Sequence, residues 1–339
     1  MQRKNTRLGI LRGICFCLCV AVLFSLASRV FIRKELTGAW DMTNKIHGFY
    51  NEPEDSYDVM CFGSSHMYAS FNPVVAWQEE GITSYVFATR EQPLWLTYYY
   101  IKEALRTQSP KVIVMDVRMV IQTEEYAAEA VNHAALDDFR FSLDKLRAIW
   151  ASAAPGDRLP LVLPFVKYHS RWTELEPYDF QWDYLDNCDP YKGYVMLEGV
   201  NPFTWNDTQG SCEKNWEYLD RIVELVQQNN IQLVLYKSPC HAMPEEAACF
   251  AQVEQLAQER GLVFWNDNGR EAELGLVDEQ HFYDRGHVNW LGAEILTKDL
   301  SHRLAQTFQL EDHREDAQLV DIWSPCVQQY ETAKEDLAV

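Results

Sequence analysis

Basic charge is scarce: 30 Lys and Arg stand against 50 Asp and Glu, a formal net charge of −20 over 339 residues. A field of that sign repels phosphate, so a basic DNA-binding module is excluded and no nucleic acid is expected as a partner. The 13 Pro and 15 Gly are scattered rather than pooled into a linker, and 47% hydrophobic residues exclude a disordered or collagen-like chain. No fixed period recurs. HExxH and Cys/His clusters are missing, so although His281, Asp284 and His287 lie close in sequence, no metal and no cofactor is expected.

Charge is unevenly spread. Residues 1–34 carry seven basic residues and no acid, leaving 23 basic against 50 acidic, or −27, for the remainder. Between Arg12 and Arg29 lies an uncharged run, Gly13 to Ser28. At ~1.5 Å per residue it spans about 24 Å, and flanking arginines can snorkel to complete a bilayer core of ~30 Å. Residues 1–34 therefore read as a signal anchor, followed by a stalk over 35–55. A cleaved signal peptide fits the same features, with Ser25-Leu26-Ala27 as a small-residue cleavage site. Four basic side chains precede the run and three follow, a bias towards an N-inside, C-outside single-pass protein of the cell membrane with its C-terminal domain extracytoplasmic. The reverse orientation would leave a lipase-like enzyme on the inner face.

Cys15, Cys17 and Cys19 lie in the apolar run and read as small hydrophobes. Six more belong to the soluble part. In an oxidising compartment Cys240 could join Cys249, and Cys188 could join Cys212, with connectivity left open.

Beyond the anchor, short buried-type strands alternate with amphipathic stretches, as in a parallel sheet covered on both faces. The expected strands are Tyr57–Phe62, Ser84–Ala88, Val112–Val117, Ile231–Tyr236 and Leu262–Trp265. Leu219, Ile222, Val223 and Val226 recur at helical spacing within Asn215–Gln228, and further helices are expected near 92–108, 245–260 and 290–306. This is an α/β fold, a three-layer α/β/α domain over 56–309. Residues 121–213 break the rhythm with a helix pair over Glu124–Ala154 and an aromatic-rich stretch, and read as a mostly helical insertion. Residues 310–339 read as an acidic tail, surface-packed or frayed.

Two motifs carry chemistry. Gly63-Ser64-Ser65-His66 follows the first strand, where small residues allow a tight turn and a serine at the sheet rim sits beside a helix N-terminus. Serines in such turns also serve simply as helix caps. Near the other end, Asp284-Arg285-Gly286-His287 precedes a helix. An aspartate three residues before a histidine can accept the Nδ1–H while Nε2 faces a hydroxyl, which supplies general-base activation. Asp278 and His281 have the same spacing; the later pair is preferred because a helix follows it directly.

A Gly-x-Ser turn after strand one with a C-terminal DxxH resembles the SGNH/GDSL hydrolase superfamily over about 56–306. GSSH with FNP, QPLWLTYYYIKEAL and FYDRGHVNWLGA look like its membrane-anchored branch, which contains the D-alanine transfer protein of lipoteichoic acid biosynthesis and the alginate O-acetylation proteins. The resemblance implies Ser65 as nucleophile with His287 and Asp284. It also implies acyl-ester hydrolysis or O-acyl transfer on a cell-envelope polysaccharide or teichoic-acid-like acceptor, beside a membrane-bound O-acyltransferase.

Departures are equally specific. The oxyanion glycine is not evident in Ala88-Thr89-Arg90-Glu91-Gln92, and Asp116-Val117-Arg118 stands where an asparagine motif would follow the third strand. Each missing donor would lower the rate by about 10² to 10³. Ser64, His66, Thr89, Arg90, Asp116 and Asn289 are the remaining oxyanion or pocket candidates. His169, Arg171, Trp172 and Lys192 form either an acceptor site or a structural aromatic cluster. A non-catalytic scaffold or binding partner of a membrane acyltransferase is the alternative reading.

Overall fold

The computed structural model describes residues 2–34, 42–201, 210–241 and 246–337. Parts of five expected elements therefore lie outside the described residues: residue 1 of the anchor, 35–41 of the stalk, 202–209 of the insertion, 245 at the start of one helix and the last two residues of the tail.

The chain opens with α1 (Gln2–Phe31) and α2 (Thr43–Asn51), then β1 (Val59–Gly63), α3 (Ser65–Ser70), α4 (Pro73–Glu80), β2 (Ser84–Ala88), α5 (Leu94–Ala104) and β3 (Val112–Asp116). The inserted region carries α6 (Glu129–Leu136), α7 (Leu143–Ser152), α8 (Arg158–Val162) and α9 (Pro164–Tyr168), with one 3₁₀ turn (Pro155–Asp157) between α7 and α8 and three more after α9. There follow α10 (Glu213–Gln228), β4 (Gln232–Lys237), α11 (Ala247–Arg260), β5 (Val263–Asn266), α12 (Glu271–Leu274), α13 (Asp278–His281), α14 (Trp290–Phe308) and α15 (Ala317–Leu337).

All five strands are parallel, in the order β2-β1-β3-β4-β5. That is the doubly wound order in which the chain reverses direction between β1 and β3, and the crevice outside their carboxyl ends is the usual ligand position. Every residue of β1, β2 and β3 is buried. Their β-branched and aromatic side chains therefore fill both faces, each contributing about 1.5–3 kcal/mol by burial. Helices α5 and α10 pack together on one face, while α3, α4 and α14 cover the other. The three-layer expectation holds, with each strand displaced by no more than two residues from its expected bounds.

Two expectations change. Met42, Ile46 and Phe49 are buried, and Phe49 stacks on Phe87 of β2 at 4.2 Å, so residues from 42 onward belong to the packed body instead of a stalk. The tail is a long helix laid on the domain: Trp323 stacks on Trp77 at 5.2 Å, and Cys326 and Tyr330 are buried beside it. Neither expected disulfide forms. Cys188 faces Asn51 O and Cys212 faces Glu124 O, while Cys240 accepts from Lys237 Nζ at 3.0 Å, and all nine thiols are free.

α1 is a 30-residue helix, of which Arg7–Phe31 is long and apolar enough to cross a membrane, and none of its most apolar window is buried in the protein.

Candidate active site

β1 ends in Gly63, whose φ of +140° favours glycine; a Cβ there would lie 2.6 Å from the Cβ of Asp116. This close approach lets the chain turn against β3. Asp116, at the end of β3, then ties the turn. The Ser64 hydroxyl donates to Asp116 Oδ2 at 2.6 Å, and the N–H of Ser64 donates to the same oxygen at 3.3 Å. Ser64 Oγ also accepts the His66 N–H at 3.3 Å and so caps α3. With its hydroxyl committed in both senses, Ser64 shapes the turn. Ser65 is the next residue and opens α3, whose following N–H groups, His66 and Met67, donate to Ser64 Oγ and Ser64 O at 3.3 and 3.0 Å.

The other half comes from the loop before α14. Tyr283 N–H and Asp284 N–H donate to His287 O at 2.9 and 3.3 Å, and an antiparallel bridge joins Phe282 to Val288. Within this tight loop Asp284 Oδ1 accepts the N–H groups of Gly286 and His287 at 2.7 and 2.8 Å. The same carboxylate lies 2.9 and 3.1 Å from His287 Nδ1, and His287 Nε2 lies 2.8 Å from Ser65 Oγ. With the Nδ1–H donating to Asp284, Nε2 is the acceptor for the Ser65 hydroxyl proton. Burial pushes the Asp284 carboxyl up, but the His287 ring and the two N–H donors outweigh it and hold the group below the ordinary carboxylate range. The three side chains are 222 residues apart at their widest and meet at the β1/β3 switch point.

The alternative pair is not arranged this way. His281 Nδ1 accepts the Val277 N–H at 2.8 Å, and the exposed Asp278 lies 3.4 Å from His241 Nε2.

His66 is buried against His287, ring centroids 4.9 Å apart. Burial, then the neighbouring His287, Lys237 and Arg118, push its pKa well below the usual imidazole range, so it is neutral; its Nδ1 has no hydrogen-bond partner among the described residues. Arg118 is buried with its Nη1 2.8 Å from Glu246 Oε2, and its N–H donates to Asp116 Oδ1 at 2.9 Å.

Other expected site residues go elsewhere. Thr89 donates to Gln92 Oε1 at 3.0 Å inside the core. Arg90 lines a separate cleft with Arg33 and Lys167, and its neighbour Glu91 lines the Ser65 cleft instead. Asp116 is an acceptor committed to the turn. Asn289 caps α14, accepting from Leu291 and Gly292 N–H while donating to Gln280 O at 2.7 Å. The four acceptor-site candidates do not converge. Lys192 is a buried partner of Glu52 at 2.8 Å, Arg171 is buried against α1 and Asp179, Trp172 is exposed, and His169 Nδ1 bonds Val166 O at 2.8 Å. None of them lines the Ser65 cleft.

That cleft holds about 440 Å³. Its floor is Ser65, His66 and His287; its walls are mainly apolar and come from Met119, Ile121, Tyr126, Ala127, Ala128 and Val131. These walls were not expected from the sequence. The signal was there in Met119-Val120-Ile121, an apolar run placed directly after a strand at the sheet's carboxyl edge.

The structures this chain is similar to include ester hydrolases. A candidate acylhydrolase of Bacteroides fragilis matches with a TM-score of 0.40 and 10% identity, covering 77% of this chain and 93% of that one. An acetylxylan esterase of Geobacillus stearothermophilus, in a catalytic-mutant form, matches at 0.38 and 12%, covering 77% and 98%. A candidate GDSL-like lipase of Parabacteroides merdae matches at 0.39 and 10%, covering 76% and 99%. No protein-family model and no curated protein matches the chain.

Proposed function

We propose that this chain is a membrane-anchored serine acyl-ester hydrolase or O-acyltransferase, with Ser65 as nucleophile, His287 as general base and Asp284 as the group that orients the imidazole. The observation that carries this reading is the 2.8 Å contact of Ser65 Oγ with His287 Nε2, continued through Nδ1 to a carboxylate. In the first step Ser65 Oγ attacks an ester carbonyl, its proton passes to Nε2, and the imidazolium returns that proton to the leaving alcohol as the ester C–O bond breaks. In the second step water or an acceptor hydroxyl attacks the acyl-serine and gives its proton to His287, which returns it to Ser65 Oγ as the acyl C–Oγ bond breaks. Asp284 stabilises the imidazolium through both steps. The Ser65 N–H is the backbone donor proposed to face the developing oxyanion, since the N–H groups of His66 and Met67 are bonded to Ser64.

α1 is read as the single-pass anchor, with the domain extracytoplasmic and the acceptor a cell-envelope glycan or teichoic-acid-like polymer. The test is turnover of acetyl esters by the detergent-solubilised full chain. Hydrolysis that is lost in Ser65→Ala while the fold is retained supports the reading. Equal, trace turnover in both proteins sinks it.

One observation favours a second reading. The side-chain donors of Ser64, Thr89 and Asn289, expected near an oxyanion or its pocket, are all committed to structural bonds. A non-catalytic partner of a membrane-bound O-acyltransferase would need no such donors, and would leave esters untouched.

A further inference from the structure

Among the described residues outside α1, six of the fourteen exposed large apolar side chains lie in one short stretch, residues 158–180. Leu159, Leu163 and Val166 are exposed along α8 and α9, and Trp172 and Phe180 beyond them are 70% and 62% exposed. Apolar area gathered in this way marks an interaction surface.

The same stretch grips the last turns of α1. Phe165 of α9 meets Phe24 and Phe31 edge-on at 5.5 and 5.2 Å. Arg171 Nη1 donates to Phe31 O at 2.5 Å, and Lys34 Nζ donates to Asp179 O at 3.2 Å in a buried contact. Arg33 pairs with Glu174 at 2.9 Å. These contacts fix the height of the exposed side chains relative to the apolar helix. Phe24 precedes Phe31 by seven residues, about 10 Å along the axis at ~1.5 Å per residue. Phe165 therefore stands level with the outer ~10 Å of the span, the depth at which interfacial helices lie.

We infer that residues 158–180 form a collar seated in the bilayer surface around the anchor, with Leu159, Leu163 and Val166 among the outer acyl chains and Trp172 and Phe180 at the headgroup boundary, where aromatic rings are enriched. The occupant of this face is lipid, because the face continues the surface of α1. The inference rests on the reading of α1 as membrane-spanning. It also places the Ser65 cleft at the membrane: Val131 of α6 lines that cleft, while Ala130 and Ala134 of the same helix line the cleft shared with Arg33 and Lys167. One helix thus separates the site from the collar, and an ester held at the bilayer surface would have a short path to it.

The experiment uses the full chain reconstituted in phosphatidylcholine–phosphatidylglycerol vesicles. Photoreactive benzoylphenylalanine is introduced singly in place of Leu18, Leu163, Trp172 or Ile322, the last an exposed residue of α15, and adducts are identified by mass spectrometry after irradiation. Lipid adducts at 18, 163 and 172, lost at 322, are expected. Adducts at 18 with none at 163 and 172, or cross-links to protein in their place, overturn the collar while leaving the anchor. Equal lipid yields at 322 and 172 also overturn it. Loss of adducts at 18 itself removes the spanning helix and the collar with it.

Discussion

Asp284→Asn alters one atom of the site and keeps its shape. In the native turn the Gly286 and His287 N–H groups fix Oδ1 at 2.7 and 2.8 Å, and Oδ2 lies 3.1 Å from His287 Nδ1. The two backbone donors hold the asparagine oxygen in the Oδ1 position, which puts its NH₂ where Oδ2 was. Nδ1, 2.9 Å from Oδ1 and 3.1 Å from Oδ2, then faces a donor beside the amide oxygen; the ring that answers this donor is protonated on Nε2, a tautomer that donates towards Ser65 when it should accept. The negative charge that stabilises the imidazolium is also gone. In serine proteases the equivalent change lowers kcat about 10⁴-fold, and the same loss is expected here. At ~1.36 kcal/mol per tenfold this is about 5 kcal/mol of transition-state stabilisation. Stability changes far less: hydrogen bonds to a charged acceptor contribute about 1.5–3 kcal/mol against 0.5–1.5 for neutral ones, a loss of about 1–2 kcal/mol. The assay is nitrophenyl acetate hydrolysis by the full chain in detergent, with thermal unfolding alongside. A variant within about tenfold of native activity at similar Tm would refute the assigned role, since a group worth that little is not orienting the base.

Further outcomes follow from the same geometry. Gly63→Ala forces a side chain into a φ of +140° and against Asp116, so a fall in the denaturant midpoint worth at least about 1–3 kcal/mol is expected. Asp116→Ala leaves the buried Ser64 hydroxyl without its acceptor; a stability loss of about 1–3 kcal/mol and a drop in ester turnover of about 10² are expected, read by denaturation and steady-state kinetics. Because the Asp284 pKa is depressed in the folded state, its contribution is complete above the unfolded carboxylate value of about 4 and is lost as pH falls through the lower folded value. The stability difference between native and Asp284→Asn should therefore stay constant from about pH 7 to 5 and shrink below about 4, measured by urea titration at each pH. Finally, the apolar cleft walls should reward longer acyl chains by about fourfold in kcat/KM per methylene, at ~0.8 kcal/mol each, and Val131→Trp should remove that gain while sparing acetyl esters.

The sheet was legible because each strand is a short, mostly apolar run, fully buried in β1, β2 and β3, a pattern that short-range reading detects well. The site was legible because both of its halves are local motifs: a small-residue turn at Gly63-Ser64-Ser65, and an aspartate three residues before a histidine. Which of the two DxxH pairs faces Ser65 depends on long-range packing, and only a helix following His287 pointed to it. Helices α2 and α15 were missed for different reasons. Met42, Ile46 and Phe49 recur at helical spacing but lie in a segment overshadowed by the apolar run before it. Trp323, Cys326 and Tyr330 recur likewise, although Pro325, which sits inside the continuous helix, reads as a breaker and acidic neighbours mask the stripe. The roles of Asn289, Lys192 and Arg171 were not readable at all, because a buried polar side chain looks the same in sequence whether it binds a ligand or satisfies a distant carbonyl or carboxylate.

The most direct measurement is the site of covalent modification by a serine-reactive fluorophosphonate, located by tandem mass spectrometry in the native chain and in Ser64→Ala, Ser65→Ala and His287→Ala. Modification at Ser65 in the native chain and Ser64→Ala, absent in the other two, is the predicted result. Modification at Ser64, or labelling of Ser65 that persists without His287, would contradict an activated Ser65.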